Sequence, residues 1–185
     1  TTLSGITLNF LMSLSGGLLA GYWVSKGDPF WTYSGGLAGI ITASAGNDLY
    51  HPIQSMIIAG IGTYIAYKMH YWVERKFKID DAVGAVAVHG YAGVVGLIIC
   101  GFVLWGYPSS GYDGLGYAAI NPVGMIIGAF IMFVVLGFVP GYVIAKILHA
   151  AGKLRIPREV ELAGLDYNIM EAASKDEKAV SSSSR

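Results

Sequence analysis

Asp80-Asp81-Ala82-Val83-Gly84-Ala85-Val86-Ala87-Val88-His89-Gly90-Tyr91-Ala92-Gly93-Val94-Val95-Gly96-Leu97-Ile98-Ile99-Cys100-Gly101-Phe102-Val103-Leu104-Trp105-Gly106 is the stretch that decides the fold. Between Ala82 and Gly106 the only basic or acidic side chain is His89, and the run exceeds the roughly 20 apolar residues a helix needs to cross a bilayer. An imidazole near the middle of a membrane-length helix is costly, so it points to a use. The aspartates at the entrance, the central histidine and the small residues around it suggest a pore or a proton-handling site rather than a passive anchor.

The rest of the chain agrees with that reading. Of 185 residues, 54% are hydrophobic and 13% charged, with mean hydropathy +0.56. A soluble domain carries about 25% charged residues, so the composition is that of an integral membrane protein. Twelve basic and twelve acidic residues cancel, which argues against a nucleic-acid partner. The single cysteine, Cys100, cannot form an intrachain disulfide and reads as small packing. Most of the 26 glycines fall inside apolar segments, where small residues let membrane helices approach closely.

Five segments are long and apolar enough to be read as crossings: about Leu3 to Val24, Phe30 to Gly46, Pro52 to Trp72, Ala82 to Gly106, and Ala118 to Leu148. The fifth is long enough to tilt, and Pro140 inside it should kink it. The expected fold is therefore all-α and multi-pass, with residues 1–155 forming the transmembrane domain. Residues 156–185 are polar, end in the Ser181–Ser184 run, and read as a cytoplasmic tail.

Loop charges set the orientation. Lys68, Arg75, Lys76 and Lys78 surround the third connection; Lys146, Lys153, Arg155 and Arg158 follow the fifth segment; Lys26 lies in the first connection. The second connection, Asn47 to His51, and the fourth, Tyr107 to Tyr117, carry no Lys or Arg. The basic loops and the C-terminus belong in the cytoplasm, which puts the N-terminus outside. Trp23, Trp31, Trp72 and Trp105 fall near segment ends, as an aromatic belt requires.

His89 follows Asp81 by eight residues, or ~12 Å at ~1.5 Å per residue, close to the midplane of a core ~30 Å thick. A neutral imidazole there donates one hydrogen bond and accepts another, so it could relay a proton or order a small polar substrate. The competing reading is a packed histidine bonded to a neighbouring helix. Gly90, Gly93 and Gly96 read as helix-packing positions, Gly93 and Gly96 forming a small-x-x-small pair. Asp80 and Asp81 can cap the fourth helix, with an ion-gathering vestibule as the alternative. Asn47, Asp48 and His51 read as a solvated outer turn or a cation attractor. His70 and His149 sit beside basic residues at the cytoplasmic interface and need no special role. No metal spacing, phosphate loop, nucleophile motif or cofactor signature is visible, and no catalytic constellation points to an enzyme.

Several of these pieces together resemble the ammonium transporter family (the Amt, Mep and Rh class). Ile79-Asp80-Asp81-Ala82, Val88-His89-Gly90 and Gly93-Val94-Val95-Gly96 are similar to the family's stretch around the histidine of its second repeat. Ser34-Gly35-Gly36-Leu37-Ala38-Gly39-Ile40-Ile41-Thr42 resembles its small-residue pore helix. Leu154-Arg155-Ile156-Pro157 with Gly164-Leu165-Asp166 resembles its cytoplasmic tail motif. The likeness is to the family's C-terminal part, the second inverted repeat without its first helix, plus the last helix and tail. Departures lie at Gly84, where the family usually has an acidic residue, at Ala85 to Ala87, and at Ala43-Ser44-Ala45-Gly46, which replaces a Pro-Ala-Cys-Gly-like stretch.

The resemblance implies transport of ammonium or ammonia across the cell membrane through a hydrophobic pore in each subunit of a homotrimer. His89 would be one of two central histidines, and Leu37 and Ala85 apolar pore-lining positions. The tail from Ile156 would be a regulatory arm that meets a PII-type protein in bacterial relatives. Two other expectations stand beside this one: an ammonium-sensing or regulatory membrane subunit on the same scaffold, and a half-protein that needs a partner chain to complete its pore.

Overall fold

Local caps write the helix ends in this chain. The computed structural model describes residues 2–109 and 118–164. Helix α1 (Leu3–Ser25) opens on Thr2, whose Oγ1 accepts from the Gly5 amide at 3.1 Å. It closes on Lys26 in the left-handed region, with Gly27 N–H returning to the Tyr22 carbonyl at 2.9 Å. Helix α2 (Pro29–Ala43) starts with Pro29, whose missing N–H costs nothing at a helix start, and Asp28 Oδ2 accepts from Trp31 N at 2.9 Å. A 3-10 turn over Ser44–Gly46 continues it.

Helix α3 (Pro52–Phe77) begins with a reciprocal cap: Ile53 N donates to His51 Nδ1, and His51 N donates to Gln54 Oε1. A π-helical turn, Val86–Tyr91, leads into α4 (Ala92–Val103). Helix α5 (Pro122–Phe130) opens on Asn121, whose Oδ1 accepts from Gly124 N at 2.7 Å. A second π run, Ile131–Phe138, follows it, and then come α6 (Val139–Ala150) and the short α7 (Arg158–Ala163). Among the described residues there is no strand, and the one isolated bridge pairs Pro108 with Ala119.

The helical runs before α7 coincide with the five expected segments to within a few residues, with two informative shifts. The fourth helix begins at Val86 rather than Ala82, because Gly84 turns the chain at φ +67°. The fifth begins at Pro122, and the turn before Pro140 is π-helical. Such a widened turn is one way a helix accommodates a residue without an N–H.

Among the described residues three runs are long and apolar enough to cross a membrane: Leu3–Ser25, Val86–Val103 and Pro122–Ala150. Helix α2 has 15 residues, ~22 Å at ~1.5 Å each, short of a ~30 Å hydrocarbon core. Helix α3 is long enough, but Gln54, Tyr64, Tyr67, Lys68 and His70 dilute its apolar character.

The chain falls into two compact units, Thr1–Gly137 and Phe138–Arg185. In the first, α1, α2 and α3 pack closely because glycines line their contacts. A methyl group on Gly17 would strike the Gly35 carbonyl of α2, and one on Gly16 the Met56 carbonyl of α3. Thr63 Oγ1 adds an interhelical hydrogen bond to the Gly35 carbonyl at 2.8 Å. Buried Ala38, Ala66, Val88 and Ala92 form one apolar cluster, and Tyr50, Ile58, Cys100 and Leu104 a second.

At the start of α3, Asn9 of α1 donates to the carbonyls of Asn47 and Tyr50 at 2.8 and 2.7 Å, tying the second connection to α1. Burial, with the adjacent Cys100 thiol adding, pushes the Tyr50 phenol above its ordinary pKa.

In the second unit, α6 buries no side chain, and α7 follows Pro157 with an exposed Arg155–Glu161 pair at 3.8 Å. Ser181–Ser184, Leu165, Asp166 and residues 110–117 of the fourth connection lie outside the described residues.

Candidate functional site

His89 sits on the π turn, and the sequence before it explains how that turn is held. Asp81 is buried and precedes the first helical residue by a loop through Gly84. Its two carboxylate oxygens take separate backbone donors: Oδ1 from Val86 N and Oδ2 from Ala87 N, both at 3.1 Å. These are the first N–H groups of the helix, which have no partner inside it, and a carboxylate at that positive end is doubly suited. Asp80, the other expected cap, is exposed.

Three residues beyond His89, Ala92 N–H donates back to the Ala87 carbonyl, the i→i−5 bond of a π turn. The extra residue per turn rotates His89 relative to a plain α-helix.

The imidazole faces a cavity of about 410 Å³. Gly90, Gly93, Val94 and Leu97 line it from the same helix. Ile41, Ser44 and Ala45 contribute from the end of α2, and Ala129, Met132 and Phe133 from the fifth helical run. The cavity exists partly because Gly90 and Gly93 have no side chains: a methyl on Gly90 would lie 3.0 Å from the Phe133 ring.

The lining is almost wholly apolar. The Ser44 hydroxyl donates to its own helix, at the Ile40 carbonyl, 2.6 Å away. His89 therefore brings the cavity its one side chain with an uncommitted N–H. Among the described residues none holds that imidazole by a hydrogen bond. A donor-acceptor ring in an apolar cavity can bond a small neutral molecule or pass a proton, and it offers little to a bare cation.

The other expected positions are placed differently. Leu37 and Ala85 are exposed, and neither lines this cavity. Gly96 lies against the Thr42 backbone, deep between α4 and α2. Gly93 has only the Ile41 side chain nearby, and Gly90 the Phe133 ring. No group of three or more His, Cys, Asp or Glu side chains that could hold a metal occurs among the described residues.

Reading the sequence alone missed His70. It is buried, 6% exposed, beside the π turn. Its Nε2 lies 3.4 Å from Glu74 Oε1, and its Nδ1 lies 3.5 Å from Asp81 Oδ2. The Asp81 contact has the distance of a charge pair without the alignment of a hydrogen bond, so Nδ1 has no hydrogen-bond partner. Rings pack around the imidazole: Trp31 at 5.1 Å and Tyr71 at 5.0 Å between centroids, both edge-on. The His70–Glu74 spacing of four was legible as a helix-face pair. The approach of Asp81 was not, because it depends on the loop through Gly84.

Comparison with known proteins places these features. The model of the Ammonium Transporter Family matches residues 2–175. A protein named ammonium transporter Amt1 from Methanocaldococcus jannaschii is 33% identical over 179 residues, covering 95% of this chain and 43% of the relative. A second from the same organism, named ammonium transporter Amt2, is 36% identical over 159 residues, covering 84% of this chain and 35% of the relative. A Bacillus subtilis protein named ammonium transporter is 29% identical over 178 residues, with 91% and 44% covered. The chain thus spans about two fifths of the length of the relatives it matches. No solved structure matches it significantly. The similarity and the membrane-length apolar helices together make this a multi-pass membrane protein.

Proposed function

This chain belongs to the ammonium transporter family, and from that premise we propose that it forms one wall of a pore through which ammonium or ammonia crosses the cell membrane. The observation that carries the reading is the setting of His89, an imidazole with no hydrogen-bond partner among the described residues, facing an apolar cavity. An ammonium ion must shed its water and its proton before an apolar passage admits it, because a bare charge in hydrocarbon is costly. His89 then bonds the neutral species and carries a proton. Gly90 and Gly93 keep the passage open beside it.

In this reading all five helical runs cross the bilayer, with the N-terminus outside and the basic connections in the cytoplasm. The charge pattern of the loops supports that orientation. Assembly as a homotrimer and docking of a PII-type protein on the segment after Ile156 extend the same proposal.

A second reading has its own support. His89, Leu37 and Ala85 all lie on exposed surface, so a further wall, supplied by more polypeptide of the same or another chain, would complete the pore.

Replacement of His89 by Ala in cells that depend on the protein for ammonium is the test. Loss or alteration of methylammonium uptake at unchanged protein level supports the pore reading; uptake equal to the unmodified protein removes His89 from the mechanism. Ammonium binding without any uptake by the unmodified protein would make it a sensor.

A further inference from the structure

We propose that His70 is a positioning residue for His89, acting through Asp81. The proposal deepens the pore reading but stands on geometry of its own. Asp81 spends both carboxylate oxygens on the amides of Val86 and Ala87, at the first turn of the segment that carries His89. One of those oxygens, Oδ2, is also the atom 3.5 Å from His70 Nδ1. Asp81 and His70 are both 6% exposed, so water does not take the place of the imidazole beside that oxygen.

The imidazole is itself fixed from several sides. Glu74 Oε1 is 3.4 Å from Nε2, one turn further along α3. Trp31 and Tyr71 meet the ring edge-on, and Phe30 stands at 6.3 Å. Trp31 is in turn placed by the Asp28 cap at the start of α2. The result is a relay of contacts from α2 and α3, through His70, to the carboxylate that sets where the π turn begins. A residue held in this way fixes the geometry of a functional group it never touches.

The stereochemistry of the ring provides a discriminating test. The amide nitrogen of Asn falls near the place of His Nδ1, on the Asp81 side. That of Gln falls near Nε2, on the Glu74 side. If His70 acts through Asp81, Asn should substitute for it and Gln should not. A role in packing alone predicts that Gln, the larger side chain, does at least as well as Asn.

The experiment is made on the native protein in membranes, with His70→Asn, His70→Gln and His70→Leu. Two readouts are taken: amide hydrogen exchange over residues 82–92, and the concentration dependence of methylammonium uptake. Exchange at Val86 and Ala87 is expected to rise about tenfold in His70→Leu and His70→Gln, the size of a weakened cap, and to stay near the unmodified rate in His70→Asn. Maximal uptake should fall in the same two variants, with half-saturation changed by less than about twofold, as expected when a reacting group is misplaced but substrate entry is intact. Asp81→Asn is the second variant, and it should raise exchange at Ala87 even where a His70 variant accumulates poorly. Unchanged exchange at Val86 and Ala87 in His70→Leu, or equal behaviour of Asn and Gln, overturns the proposal. Absence of uptake in the unmodified protein, with the exchange pattern intact, overturns the pore reading and leaves the positioning role standing.

Discussion

Gly96 of α4 lies against the carbonyl of Thr42, so close that a methyl group on Gly96 would overlap the Thr42 backbone. Thr42 is itself turned inward, its hydroxyl donating to the Ala38 carbonyl at 2.8 Å, and it also fills the space opposite Gly62 of α3. This one contact sets how near the helix carrying His89 can come to α2, and hence the width of the cavity between them.

Gly96→Ala should therefore destabilise the protein by about 1–3 kcal/mol, the cost of overpacking. Gly93→Ala should not, because only the Ile41 side chain stands at 3.8 Å and alanine favours the helix by about 0.5–1 kcal/mol. Thermal unfolding in detergent compares the two. A lower melting temperature for Gly93→Ala than for Gly96→Ala would contradict the packing described.

Asn9→Ala removes the donor shared by the carbonyls of Asn47 and Tyr50. Leaving those acceptors unpaired should cost about 1–3 kcal/mol. Proteolysis of the second connection should also become faster, because Asn9 makes two of the hydrogen bonds that tie it to α1, beside the longer one from Asn47 to the Ile6 carbonyl. Cleavage at the rate of the unmodified protein would show that other contacts hold the loop.

Tyr50→Phe should be nearly neutral or slightly stabilising. The hydroxyl is buried without a hydrogen-bond partner, and removing an unsatisfied group removes its desolvation penalty, about 1–3 kcal/mol at most. The pH dependence runs in the same direction. Burial raises the phenol's pKa, so the neutral form is the folded one, and any stability it contributes is present below the unfolded value of about 10 and lost as pH rises beyond it. Stability of Tyr50→Phe should accordingly fall less than that of the unmodified protein between pH 9 and pH 11, read by thermal unfolding at each pH.

Lys78 ends α3 in the left-handed region at φ 58°, where a Cβ is unfavourable. Lys78→Gly should stabilise the protein by about 0.5–1 kcal/mol. A drop in melting temperature would mean that the Lys78 side chain contributes more than its backbone costs.

The helical segments were legible in the sequence because apolar length is local, and the caps that the structure shows are local too. Thr2, Asp28, His51 and Asn121 each mark a helix start by a hydrogen bond reaching two or three residues ahead. His89 could be singled out because an imidazole within a long apolar run stands apart whatever surrounds it. Loop chemistry at Gly84 was harder to read: a glycine there could equally have continued the helix, and only its φ of +67° moved the helix start from Ala82 to Val86.

By itself, then, the sequence determined that this is a helical membrane protein with a histidine inside one apolar helix, because hydropathy and chain length act segment by segment. Only the tertiary structure decided which glycines meet backbone and which border a cavity, since Gly90, Gly93 and Gly96 differ in what other helices place opposite them. It also decided that His70 is buried against Asp81. Both depend on how helices distant in sequence pack, and no periodicity within one helix encodes that.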